Sequence, residues 1–110
     1  MAYDEQLADR IRTRLGSRAD LSEKKMFGGL AFLIGGNMAI AASGQGGILV
    51  RVDPDESAAL VAKTKAETAV MRGRPIAGWL RVASDDVRTK AQLAPWVERG
   101  TAYARSLPAK

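Results

Sequence analysis

The sequence predicts an α+β domain with helices packed on an antiparallel sheet. Three observations carry this. Apolar residues recur at a four-residue step near the start, which is the stripe of an amphipathic helix. From Met26 to Val52 short apolar runs alternate with glycine-rich turns, the pattern of an antiparallel meander. Helical spacing then returns in two places, with a pair of extended pieces between them. Strands grouped in runs, with helices set apart, indicate α+β.

The first helix is predicted over Tyr3 to Leu15, with Tyr3, Leu7, Ile11 and Leu15 on its buried face and Gly16 as its stop. Three strands follow, over Met26–Ile34, Asn37–Ala42 and Ile48–Val52, with turns at Gly35-Gly36 and Ser43–Gly47. Asp53-Pro54-Asp55-Glu56 is the clearest helix start in the chain. Asp53 suits the cap, Pro54 the first helical position, and Glu56 a capping-box acid. That helix is expected to run to about Thr64. Thr68–Met71 and Trp79–Val82 read as two more strands around a turn at Arg72–Pro75, and Pro75 argues against one continuous central strand. The last helix carries Leu93, Trp96, Val97, Gly100, Tyr103, Ala104 and Leu107. Thr89 and Gln92 form a possible capping box at its start, and Pro108 marks its end. The expected architecture is a two-layer α-β(3)-α-β(2)-α domain over residues 1–110.

Composition narrows the chemistry. With 110 residues and 46% apolar content the chain can form one core without disulfide or metal. It has no cysteine and no histidine. That removes thiol nucleophiles, imidazole bases and ordinary zinc sites, and it favours a reducing compartment. The N-terminal Met1-Ala2-Tyr3-Asp4-Glu5 is acidic and lacks the apolar run of a signal peptide. The longest strongly apolar stretch, Leu30 to Ile34, is far short of the ~20 residues of a membrane helix. No membrane association and a cytoplasmic location are therefore expected.

Tests for catalysis and cofactors give little. The glycine pairs are not followed by the Lys-Ser or Lys-Thr of a phosphate loop, and no G-x-G-x-x-G occurs. Asp53, Asp55 and Glu56 are committed to a helix start, and Asp85-Asp86 suits a turn or cap. With no histidine in the chain, no serine has an imidazole base to pair with. The expectation is a non-enzymatic domain with no cofactor and no metal site. A catalytic reading would need Asp85 and Asp86 to point into a pocket.

Lysine and arginine number 17 against 12 acids, a net charge of +5. Such a balance draws polyanions or simply keeps a small domain soluble. The candidate contacts are Lys24, Lys25 and Phe27 in the Lys24-Lys25-Met26-Phe27 segment, Arg72 and Arg74 around Gly73, and Arg81. Direct nucleic-acid binding through the five cations is one reading, and it requires them to share a face. Binding to a protein partner is the other and the favoured one. Trp79 and Trp96 are both expected in the core. If Leu33, Leu49 or Trp79 is instead exposed, a homodimer or other interface is indicated.

Five segments in order resemble the N-terminal domain of the TfoX/Sxy family, proteins linked to bacterial competence regulation. They are Lys25–Gly29, Leu49–Asp53, Gly73–Trp79, Trp96-Val97 and Tyr103–Pro108. The resemblance implies the α-β(3)-α-β(2)-α fold of secretion-chaperone-like domains. It also implies a regulatory, non-enzymatic role connected with transcription. It supplies no catalytic or binding residues. Competence regulators of the family carry a second domain C-terminal to this one, so the resemblance speaks to the fold first and to the process second.

Overall fold

The computed structural model describes residues 3–17, 19–26 and 28–109. The elements run α1 (Glu5–Leu15), β1 (Leu21–Met26), β2 (Gly29–Ile34), β3 (Asn37–Ala42), β4 (Ile48–Arg51), α2 (Pro54–Lys63), β5 (Glu67–Met71), β6 (Arg74–Val82) and α3 (Lys90–Ser106). A short 3₁₀ turn, Ser84–Val87, precedes α3. The strands form one antiparallel sheet in the order β1-β2-β3-β4-β6-β5. The α+β class is as the sequence predicts.

Helix starts follow local chemistry. Asp4 caps α1 by accepting hydrogen bonds from the Gln6 and Leu7 amides. Asp53 caps α2 by accepting from the Asp55 amide, with Pro54 in the first turn. At α3 the capping box is complete: Thr89 Oγ1 accepts from the Gln92 amide and Gln92 Oε1 accepts from the Thr89 amide. Replacing Thr89 by Ala is expected to cost about 1 kcal/mol. Urea denaturation would measure it, and an unchanged midpoint would contradict the role assigned to the cap.

Two details differ from expectation. The sheet contains a strand before the predicted meander, β1, whose Leu21 to Met26 pair residue for residue with Ile34 to Gly29. Its four central residues, Ser22-Glu23-Lys24-Lys25, are exposed, so no apolar alternation announces it. Such charge on an edge strand also discourages pairing with other chains. The second difference is that β6 runs unbroken from Arg74 to Val82 and includes Pro75. Only Trp79 to Val82 pair with β4, so Pro75 lies on a stretch of β6 with one neighbour, where its missing N–H costs no ladder bond.

The helices cover one face of the sheet. Leu7, Ile11 and Leu15 of α1, Leu60 of α2, and Leu93, Trp96, Val97 and Ala104 of α3 share a core with Leu30, Phe32, Ile40, Ile48, Val50, Leu80 and Val82. A bulge shapes the seat of α3. Phe32 pairs with Ile40 but Leu33 pairs with Met38, so Ala39 is the extra residue on β3. Gly100 of α3 lies directly over it. A Cβ built on Gly100 would stand 2.4 Å from the Ala39 carbonyl oxygen. Only glycine lets the helix come this close.

Arg12 ties α1 to the edge strand. Its guanidinium donates to Glu23 at 2.6 and 2.8 Å and also pairs with Asp9. It lies 5.8 Å from the centroid of the Phe32 ring. The hydrogen bond from Arg12 holds the Glu23 carboxyl below its ordinary range, with partial desolvation opposing. Because the folded-state value is depressed, this contribution is complete above the unfolded value of about 4.3 and is lost as pH falls through the folded one. Both side chains are substantially exposed, so the pair contributes under about 1 kcal/mol. Glu23→Gln is expected to shallow the loss of stability between neutral pH and pH 3. Urea midpoints at the two pH values would show this, and parallel losses in both proteins would contradict it.

Candidate functional site: the helix-free face of the sheet

In an antiparallel sheet with one covered face, the other face is normally polar. Here it is not. Register and burial place Lys24, Ala31, Ala41, Leu49, Arg81 and Glu67 in one row across the outer face, from β1 to β5. Beside that row lie Ser22, Leu33 and Met38, and on the β4–β6 pair Arg51 and Trp79. Ala31, Met38 and Ala41 are buried, with Met26, Leu33, Leu49 and Trp79 half-buried around them. Among the described residues this second apolar cluster contains strand residues alone. At the centre of the face the small side chains of Ala31 and Ala41 are buried among larger apolar ones.

Trp79 therefore departs from the sequence expectation. Trp96 is in the main core at 5% exposure, but Trp79 stands on the opposite face of the sheet, half-buried. The alternation of β6 decides this, since Leu80 and Val82 take the covered face and leave Trp79 and Arg81 on the other. Leu33 and Leu49 are half-buried on that same face. Val70, near the β5–β6 hairpin, is 58% exposed.

Cations rim the apolar cluster. Lys24 is exposed at the β1 end. Arg81 is half-buried at the β6 end, where its Nη1 donates to Ser43 Oγ at 3.0 Å. The Arg51 guanidinium lies 5.1 Å from the Trp79 ring centroid and 5.4 Å from that of Tyr103. The ion pairs among the described residues join Arg12 to Asp9 and Glu23, Arg14 to Glu98, and Lys65 to Asp86, so none engages these three cations. Glu67 is the one acid in the row.

The other sequence candidates separate. Lys25 pairs with Leu30, a covered-face residue, so neighbouring Lys24 and Lys25 point to opposite faces of β1. Arg72 and Arg74 flank Gly73 in the β5–β6 hairpin, at the opposite edge of the sheet from β1. Arg72 holds positive φ, 53°, in that tight turn. The five cations are not brought to one face. Phe27 lies outside the described residues.

Nor do the carboxylates converge. Asp86 is 3.8 Å from Lys65. Asp85 borders a depression of about 330 Å³ with Asp4, Arg10, Ser84 and Arg88, but Asp4 is engaged in capping α1. Among the described residues no group of three or more His, Cys, Asp or Glu side chains could hold a metal. Among them, too, no helix is long and apolar enough to cross a membrane.

Sequence reasoning named Leu33, Leu49 and Trp79 as interface markers but missed Arg51, Met38 and Ala41 on the same face. A signal was present: β2 and β3 read as nearly continuous apolar runs, GLAFLI and NMAIAA, which is the pattern of strands buried on both faces.

Comparison with known families matches the TfoX N-terminal domain model over residues 13–104. The chain belongs to the TfoX N-terminal domain family. The match runs from the last turn of α1 to the last turn of α3 and so includes every strand of the sheet and the whole outer face. No curated protein and no solved structure matches the chain. The TfoX N-terminal domain is associated with competence regulation and is a regulatory family not known as enzymatic.

Proposed function

We propose that this TfoX N-terminal domain is a non-enzymatic module of bacterial competence and transcription regulation that works in the cytoplasm by binding another protein. One observation carries the reading: the sheet face that no helix covers is apolar at its centre, around Ala31, Leu33, Met38, Ala41, Leu49 and Trp79. Leu33, Leu49 and Trp79 keep partial exposure there, and apolar side chains grouped at a surface mark interfaces. Family membership supplies the regulatory setting.

The test is affinity purification of the tagged chain from its own cells, in parallel with Leu49→Gln. Leu49 is half-buried and away from the main core, so the variant is expected to keep its fold, which a thermal melt checks. The wild-type chain is expected to retain a near-stoichiometric partner that the variant loses. A partner retained equally by both would contradict the assignment of this face.

A further inference from the structure

We propose that the helix-free face is a docking surface for an acidic amphipathic helix of a partner protein. This rests on the protein-interaction reading above and adds the chemistry of the partner. The charge pattern commits the occupant. Lys24 stands at the β1 end of the apolar cluster and Arg81 at the β6 end, with Arg51 on β4 beside Trp79, and none of the three has an ion pair among the described residues. A second copy of the chain would bring this same predominantly cationic rim against itself, offset by Glu67 alone.

Geometry sets the length of that helix. The row from Lys24 to Arg81 crosses five strands, β1-β2-β3-β4-β6, hence four inter-strand spacings. At about 4.8 Å each, the row spans roughly 19 Å. An α-helix rising 1.5 Å per residue covers that distance in about 13 residues. Such a helix would lay an i, i+3, i+4, i+7 apolar stripe against Leu33, Leu49 and Trp79, the half-buried side chains around Ala31 and Ala41. Acids near both of its ends would reach Lys24 and the two arginines. Nucleic acid fits less well. Among the described residues Trp79 is the only aromatic in the outer cluster, whereas single-strand binders stack successive bases on several, and an apolar centre offers nothing to phosphates.

The experiment titrates the full chain into a fluorescein-labelled synthetic peptide of that length, with leucines at helical spacing and glutamates near both ends. A second peptide has every glutamate replaced by lysine. Fluorescence anisotropy is expected to show the acidic peptide bound about ten-fold more tightly than the basic one at low salt. Lys24→Glu is expected to weaken acidic-peptide binding about three- to five-fold without changing the melting temperature. Leu49→Gln is expected to weaken both peptides.

Equal binding of the two peptides, or binding of neither, would overturn the inference. A concentration-dependent dimer dissolved by Leu49→Gln, or displacement of the acidic peptide by duplex DNA, would overturn it as well. Loss of the native partner on Leu49→Gln, observed alongside failure of the acidic peptide, would leave the protein-interaction reading standing while removing its acidic-helix form. Retention of that partner would remove both.

Discussion

Gly100→Val is expected to destabilise the domain by about 3 kcal/mol, at the upper end of the cost of overpacking. On helix propensity alone the sign would be opposite, because glycine is the poorer helix former. The position decides otherwise. A Cβ at Gly100 would meet the Ala39 carbonyl oxygen at 2.4 Å, the Ala39 carbonyl carbon at 3.0 Å and Val50 Cγ2 at 3.1 Å. Two of these are backbone atoms of a bulged strand held between two neighbours, so they cannot move aside cheaply. The helix itself would have to lift off the sheet and part Trp96, Val97 and Ala104 from Ile40 and Val50. Ala102, exposed on the same helix, is the matched control. Ala102→Gly is expected to cost about 1 kcal/mol through propensity alone. Urea denaturation of the variants measures both. A Gly100→Val midpoint equal to or above wild type would show that α3 does not sit where it is placed here.

Phe32→Ala is expected to cost about 3–5 kcal/mol. Phe32 is fully buried at 0% exposure at the centre of β2, paired with Glu23 on one side and Ile40 on the other. Its ring fills the space under α1 and faces the Arg12 guanidinium. Truncation removes the transfer energy of the ring and leaves a cavity that the strands on both sides prevent from closing. A typical domain holds only about 5–15 kcal/mol in total, so the variant should be marginal at 37 °C. Phe32→Leu, which keeps much of the volume, is expected to be far milder. A Phe32→Ala loss below about 1 kcal/mol would contradict the central placement of this ring.

The sequence made some of this structure legible and concealed the rest for identifiable reasons. Leu7, Ile11 and Leu15, Asp53-Pro54 and the Thr89–Gln92 box are local signals, and local signals place helices well. β1 was silent because an edge strand with Ser22, Glu23, Lys24 and Lys25 exposed needs no apolar pattern. Only its hydrogen-bonded partner β2 makes it a strand. Pro75 misled because one strand can be central along part of its length and edge along another. Residue type alone points Trp79 to the core, yet parity with Leu80 and Val82 sends it to the other face. The same parity separates Lys24 from Lys25, which no charge count could do. The outer face itself was written in the double-sided apolar runs of β2 and β3. Its importance emerges only when every helix is seen to lie on the opposite side.

Site-specific photo-crosslinking in living cells tests the interaction face most directly. A photoreactive amino acid is placed in turn at Leu33, Leu49 and Trp79 on the outer face, and at Ala62 and Ala102, exposed positions on α2 and α3. The outer positions are expected to yield the same discrete adduct with another polypeptide, and the helix positions none. An adduct formed from Ala62 or Ala102 but from none of the outer three would place the partner on the helical side and contradict the account.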